Sequence, residues 1–131
     1  MANRPRPLSP HLQVYRWQVQ MVVSIINRVT GFVIGLGSLL IAYGLVALAY
    51  GPERWDDFMS VVGSPVGFII LFGSTWALAF HLLGGLRHLA QDTGYGMEKI
   101  SIIRGSWATI IGSLLLTALV WIVAMLQEGG A

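Results

Sequence analysis

The sequence predicts an all-α integral membrane protein with three transmembrane helices. Of its 131 residues, 55% are hydrophobic and only 11% are charged, which is too few charges for a soluble domain to cover its surface. Three long stretches, 29–52, 58–86 and 105–127, contain no Lys, Arg, Asp or Glu. Each is longer than the ~20 helical residues that cross a hydrocarbon core of ~30 Å. Helices are expected because a chain in lipid must satisfy its own backbone hydrogen bonds.

The prolines and glycines divide the chain into elements. We place a transmembrane domain over 22–126, with spans at about 22–50, 65–90 and 103–126. Three of the five prolines precede it, so the segment 1–21 is expected to be extended. Turn signals between the first two spans leave room for a short interfacial helix over 53–62, and a glycine-containing turn follows the second span. Residues 127–131 are expected to form a short tail.

The basic residues indicate how the chain lies in its membrane. Four arginines lie at or before the first span, and three basic residues lie between the second and the third, whereas only Arg54 lies at the opposite end. By the positive-inside rule, the amino terminus lies in the cytoplasm of a bacterium or in the mitochondrial matrix. We therefore expect a multi-pass protein of the bacterial inner membrane, or of the mitochondrial inner membrane if the chain is eukaryotic.

His81, in the second span, is the residue with the clearest chemical role. An imidazole in an apolar span is costly without a partner, and His88 follows on the same helical face. The other residues of that face are small: Ser74, Ala77, Gly84 and Gly85. A flat macrocycle can approach such a face closely, and a neutral imidazole is a good axial ligand of haem iron. Arg28, Arg87 and His88 are candidate partners for haem propionates.

Other interpretations of this face stay open. Intramembrane histidines also form hydrogen bonds across helix interfaces, and small residues also serve plain helix packing. One histidine supplies one axial position, so a second strong ligand would come from another chain. The absence of cysteine excludes thiolate-ligated iron–sulfur clusters within this chain.

The first span carries a second candidate site, at its cytoplasmic end. Ser24 and Arg28 lie one helical turn apart, where a hydroxyl and a guanidinium can bind a polar headgroup such as a quinone carbonyl. Alternatively, Arg28 extends to lipid phosphates. Small residues continue along the first span, and hydroxyl-bearing residues line one side of the third span. We interpret both sets as helix-packing surfaces. The hydroxyl residues are Ser106, Thr109, Ser113 and Thr117.

Three segments, in order along the chain, resemble the cytochrome b556 subunits of succinate dehydrogenase, and most closely the alphaproteobacterial and mitochondrial members. The segments are RPLSPHLQVY (6–15), SIINRVTG (24–31) and HLLGGLRHLAQDTGY (81–95). They contain the patterns S-x-x-x-R-x-[ST]-G and H-x(3)-G-x-R-H-x(3)-D, which are specific in combination. The resemblance extends over nearly the whole chain.

The resemblance implies a role for each matching position. His81 would be an axial ligand of haem b, with the other axial histidine supplied by a second anchor subunit. Ser24 and Arg28 would line the ubiquinone site, and Arg28 and His88 would lie near the haem propionates. Asp92 would support the quinone site or the interface with the iron–sulfur subunit. No residue of this chain would be catalytic in succinate oxidation.

The resemblance also implies a division of labour within respiratory complex II, serving the tricarboxylic acid cycle and aerobic electron transfer. FAD and the iron–sulfur clusters would lie in a flavoprotein subunit and an iron–sulfur subunit, while this chain contacts phospholipid and no nucleic acid. Asn27 is a departure, since some relatives have histidine there, at a haem propionate. Two alternatives stay open, an anchor of a quinol:fumarate reductase and a haem-free membrane scaffold.

Overall fold

The computed structural model describes residues 16–128, and this part of the chain contains no strand. It forms four helices: α1 (Val19–Tyr50), α2 (Pro52–Val62), α3 (Pro65–Asp92) and α4 (Lys99–Glu128). Three of them, α1, α3 and α4, are long and apolar enough to cross a membrane. The predicted fold class, an all-α membrane protein with three spans, is confirmed. Residues 1–15 of the expected extended segment and 129–131 of the expected tail lie outside the described residues.

The helices are longer than the predicted spans. α1 begins at Val19, so residues 19–21 are helical and not part of an extended segment, because no proline or glycine interrupts the chain there. α4 begins at Lys99 and continues to Glu128, which takes in the first two residues of the expected tail. The break between α3 and α4 is therefore short. It contains Gly94 and Gly96, whose φ angles of 83° and 72° lie in the left-handed region that favours glycine.

Glycine and proline also shape the connections around α2, the helix expected from the sequence between the first two spans. Gly51, with φ of 116°, ends α1, and Pro52 begins α2, where its missing N–H costs nothing. Ser64 caps α3, since its Oγ accepts a hydrogen bond from the backbone N–H of Gly67 at 3.2 Å. Phe58 of α2 packs back on α1 beside Gly44, where an added Cβ would lie 2.9 Å from the ring.

α3 packs on both α1 and α4, and α1 also contacts α4. Most of the buried residues have small side chains. On α3 and α4 they include two alanines and three residues with hydroxyl groups: Ala77, Ala79, Ser106, Ser113 and Thr117. Large apolar side chains mostly face outward; Phe32 is 70% exposed and Leu126 is 71% exposed. Small residues inside and large apolar residues outside are the distribution expected of helices that pack closely in lipid.

The hydroxyl groups of α4 are satisfied within their own helix. Ser113 Oγ donates to the carbonyl of Ile110 at 2.8 Å, and Thr117 Oγ1 donates to that of Ser113 at 2.7 Å. Both residues are at most 2% exposed. Their small size lets α4 approach its neighbours, and their polar groups need no partner on another helix.

Candidate functional site

His81 lies half-buried where α3 crosses α1. Its Nδ1 is 3.0 Å from the main-chain carbonyl oxygen of Asn27 and 3.5 Å from Thr30 Oγ1. A carbonyl oxygen can only accept, so Nδ1 carries the proton and donates it to Asn27. In the neutral ring, Nε2 is then unprotonated. Its lone pair is available to bind a metal or to accept a further hydrogen bond.

Thr30 completes this arrangement from α1. Its side chain is 1% exposed, and its Oγ1 donates to the carbonyl of Asn27 at 2.9 Å. The same oxygen thus receives protons from Thr30 and from His81. His81, in the segment 81–95, thus contacts both Asn27 and Thr30 of the segment 24–31. The fold therefore brings the two sequence motifs together.

Two glycines make room for this contact. A Cβ on Gly31 would lie 3.0 Å from Cε1 of the His81 ring, which is tighter than most real contacts of that kind. A Cβ on Gly84 would collide with the side-chain amide of Asn27. α1 and α3 can therefore approach closely enough for a main-chain carbonyl to reach the imidazole.

The small residues around His81 do not all form one open face. Ala77 and Gly84 are buried, and Gly84 serves the close approach of α1. Around Gly85, by contrast, nothing in the described part of the chain lies within 4 Å of an added Cβ. The predicted small face is thus divided between helix packing and an open side, because α1 covers part of it.

An apolar groove with a cavity volume of about 670 Å³ runs between α1 and α3 beneath this contact. It is lined by residues of α1 and α3 that include Thr30, Val33, Gly37, Ser74, Trp76 and Ala77. Its volume lies within the ~300–1,000 Å³ of pockets that hold small molecules and cofactors. Thr30 lines this groove and also contacts His81, so the groove and the histidine adjoin.

The predicted quinone and propionate residues lie at one end of the helix pair. Thr30 meets His81 and Gly37 meets Ser74, so α1 and α3 run antiparallel. Ser24 and Arg28 on α1 therefore lie toward the same end as His88 and Asp92 on α3. Ser24 is half-buried, and the other three residues are exposed. No hydrogen bond or ion pair joins these four residues to one another within 16–128.

Arg87 takes a different place from the one that the sequence suggested. Its Nη1 donates to Ser106 Oγ at 2.6 Å, and its side chain lies over Gly105, where an added Cβ would be 3.3 Å from Cδ. The guanidinium therefore joins α3 to α4. Arg87 thus contacts α4, whereas His81 contacts α1.

The hydrogen-bonding partners of His81 were missed by sequence reasoning. The Asn27 contact uses a main-chain carbonyl, which every residue has, so the residue type gives no signal. Thr30 stood inside the quoted S-x-x-x-R-x-[ST]-G pattern, where its hydroxyl was the available signal. Among the described residues, no group of three His, Asp or Glu side chains is placed to hold a metal ion. His81 is therefore not part of a metal site of that kind.

These features define a class, a three-span helical membrane protein in which one histidine is held between two spans with a nitrogen available for ligation. Comparison with known families gives a match over nearly the whole chain. The family of succinate dehydrogenase/fumarate reductase transmembrane subunits matches residues 2–124. The chain belongs to this family.

The chain is also similar to individual curated proteins over most of their length. The succinate dehydrogenase cytochrome b556 subunit of Paracoccus denitrificans is 49% identical over 118 residues, covering 90% of this chain and 91% of the relative. The subunit of the same name from Rickettsia conorii is 33% identical, covering 89% and 91%. The mitochondrial succinate dehydrogenase cytochrome b560 subunit of Sus scrofa is 36% identical, covering 84% of this chain and 66% of the relative.

Proposed function

We propose that this chain is the haem b-binding membrane anchor of a succinate:quinone oxidoreductase and forms part of its ubiquinone-reducing site. The observation that carries the proposal is the hydrogen bond from His81 Nδ1 to the Asn27 carbonyl. It fixes the tautomer in which Nε2 can ligate iron, an arrangement typical of metal-binding histidines. The printed names of the relatives, cytochrome b556 and b560, support haem as the metal group.

The residues present fit a haem. His81 supplies a neutral nitrogen donor, and Gly31 and Gly85 keep Cβ atoms away from the ring and from the open side of α3. The second axial histidine would come from a second anchor subunit. Arg28 and His88, exposed at the same end of the helix pair, would hold the propionates. When bound, the haem supplies a one-electron store beside the quinone site.

Ser24 and Arg28 would bind the quinone itself. The guanidinium of Arg28 donates to a quinone carbonyl and stabilises the negative charge that develops there on reduction. The hydroxyl of Ser24, one turn earlier, donates or relays a hydrogen bond to the other polar groups of the site. Asp92 supports the site or the contact with the iron–sulfur subunit. Flavin and iron–sulfur chemistry belongs to the partner subunits.

Variants at these two residues test the quinone assignment in the purified complex. Ser24→Ala and Arg28→Gln are expected to lower succinate:ubiquinone reductase activity by at least about tenfold, because each removes a donor to the developing charge. Succinate oxidation by a soluble dye, which bypasses the membrane subunits, should be unchanged.

A matched control is available on the same helix. Ser38 is an exposed serine of α1 whose Oγ donates to the carbonyl of Gly35 at 2.7 Å, so Ser38→Ala removes a hydroxyl away from the proposed site. It should leave both activities intact. Wild-type quinone reduction in both Ser24→Ala and Arg28→Gln would overturn the assignment.

The proposed location is the bacterial inner membrane, with the amino terminus in the cytoplasm. Seven basic residues on one side and Arg54 alone on the other support this orientation. Arg54 lies on α2, between the ends of α1 and α3. The soluble flavoprotein and iron–sulfur subunits would dock on the side of Arg28 and His88.

A further inference from the structure

We infer that Thr30 is a positioning residue that sets the donor strength of His81 toward haem iron. The inference rests on the proposed function, because it assigns to Thr30 a role in tuning the haem that His81 would bind. It goes beyond that function because the Thr30 hydroxyl is not a proposed ligand of the iron or the quinone. It acts through the Asn27 carbonyl, to which both Thr30 and His81 donate.

The carbonyl of Asn27 is the group through which Thr30 acts. It accepts from Thr30 Oγ1 at 2.9 Å and from His81 Nδ1 at 3.0 Å. Within α1 the same oxygen also pairs with the N–H of Gly31. The two side-chain donors compete for the electron density that remains, so each of their bonds is weaker than it would be without the other. The Thr30 hydroxyl therefore limits how strongly the carbonyl can pull on the Nδ1 proton.

The environment of Thr30 keeps its hydroxyl in this place. The residue is 1% exposed, so water cannot replace the carbonyl as the hydrogen-bond acceptor. The Thr30 hydroxyl donates to the Asn27 carbonyl instead. Its Oγ1 also lies 3.5 Å from His81 Nδ1. The buried hydroxyls of α4 likewise donate to carbonyls of their own helix, but among the described residues no imidazole forms a hydrogen bond with those carbonyls.

The direction of the effect follows from the chemistry of the ligand. A stronger hydrogen bond from Nδ1–H makes an imidazole a better electron donor at Nε2, which favours the oxidised metal. Removing the Thr30 hydroxyl leaves His81 as the one side-chain donor to the Asn27 carbonyl, beside the N–H of Gly31 that the helix supplies. The haem of such a variant should therefore have a lower midpoint potential than the wild type.

The experiment is a spectroelectrochemical titration of the haem in the intact purified complex, with low-spin electron paramagnetic resonance spectra of the same samples. Thr30→Val keeps the shape of the side chain without the hydroxyl, and Thr30→Ala is a second hydroxyl-free variant. Thr30→Ser restores the hydroxyl. Thr117→Val is the matched control, since Thr117 is also buried and also donates to a carbonyl of its own helix.

We expect Thr30→Val and Thr30→Ala to retain haem and to shift the oxidised-to-reduced ratio about threefold toward oxidised at a fixed ambient potential. For a one-electron couple this is a fall of about 28 mV. Thr30→Ser and Thr117→Val should match the wild type in potential and in resonance positions. Loss of haem from assembled complexes of both hydroxyl-free variants, with haem retained in Thr30→Ser and Thr117→Val, would also support the role.

Two other outcomes overturn the inference in distinguishable ways. Wild-type potential and resonance positions in either hydroxyl-free variant, or an equal shift in Thr117→Val, would remove Thr30 from the tuning of the ligand while leaving His81 as the ligand. If wild-type complex contains no haem, or if His81→Ala keeps an unaltered haem spectrum, the proposed function fails first and the inference fails with it.

Discussion

At the scale of single residues, the site depends on which atom of His81 carries its proton. The carbonyl of Asn27 accepts a hydrogen bond from Nδ1–H, and the absence of a side chain on Gly31 lets the ring lie against α1. A polar ring inside an apolar span is thereby satisfied on one nitrogen and available on the other. The contact lowers the cost of placing the histidine in the membrane, and in the proposed function it would also orient the ring as a ligand.

Gly31 provides a test of this close contact. Gly31→Ala would place a Cβ 3.0 Å from Cε1 of His81, so the imidazole must shift and its bond to Asn27 must lengthen. Crowding of this kind costs about 1–3 kcal/mol. We expect the purified variant complex to lose haem at lower temperature than the wild type, measured as haem per flavin after brief heating in detergent.

Gly35 is the control for that substitution, one turn further along α1. Nothing in the described residues lies within 4 Å of a Cβ added there, and the gain in helix propensity from glycine to alanine is the same at both positions. Gly35→Ala should retain haem as the wild type does. Equal haem retention in the two variants would show that Gly31 does not position His81.

Residue types alone predicted part of this site. His81 was identified because an ionisable side chain in an apolar span needs a partner, and that argument uses only the sequence. The partner itself could not be predicted, since it is a main-chain carbonyl. Glycine and alanine are also ambiguous in sequence, because Gly84 serves the packing of two helices while Gly85 lies on an open side.

At the scale of helices, α3 is held on both sides by polar contacts made close to its carboxyl end. His81 bonds to α1, and Arg87 bonds to Ser106 of α4 at 2.6 Å. Ser106 is fully buried, and its own Oγ donates to the carbonyl of Ile102 at 2.8 Å. The two contacts fix α3 between its neighbours at the end where the candidate quinone and propionate residues lie.

The contact between Arg87 and Ser106 can be tested by Arg87→Met, which keeps a long apolar stem without the charge. A hydrogen bond to a charged group contributes about 1.5–3 kcal/mol, so we expect faster amide hydrogen exchange over 90–98 and a lower thermal midpoint of the complex.

Arg104→Met is the comparison, because Arg104 is an exposed cation near the same end of α4. It should change neither exchange nor the thermal midpoint appreciably. If the two variants behave alike, the guanidinium of Arg87 does not join α3 to α4.

The helices themselves were predictable because long uncharged stretches have few alternatives in lipid. Their ends were less predictable. α1 and α4 continue several residues past the apolar stretches, since the flanking Val19–Met21 and Lys99–Ile102 segments contain no helix breaker. Which face of a helix packs on which neighbour depends on tertiary structure, and this is why the contact of Arg87 with Ser106 could not be predicted from the sequence.

At the scale of the whole molecule, charge and apolar surface together describe a protein built for a bilayer. The three spans expose most of their large apolar side chains, and the basic residues of the described part, apart from Arg54, lie toward one end of the spans. The apolar groove between α1 and α3 is lined in part by exposed side chains, among them Val29, Leu36 and Ile69. In the proposed complex, a second anchor subunit would cover part of this apolar surface and complete the haem site.

The orientation can be measured directly, because the chain contains no cysteine. A cysteine introduced at Glu98, between α3 and α4, should react with a membrane-impermeant maleimide only in inverted inner-membrane vesicles. A cysteine introduced at Asp57, on α2, should react only in intact spheroplasts, because α2 lies at the opposite end of the spans. The reverse labelling pattern would contradict the proposed orientation.

The most direct test of the account is the reduced-minus-oxidised absorption spectrum of the purified complex, recorded for wild type, His81→Ala and Leu82→Ala at equal subunit content. Leu82 is the next residue of the same helix and is 51% exposed, so it controls for a shortened side chain beside the site. The account predicts a b-type band in wild type and Leu82→Ala that shifts or disappears in His81→Ala. A wild-type complex without haem, or an unchanged band in His81→Ala, would contradict the assignment of His81 as the haem ligand.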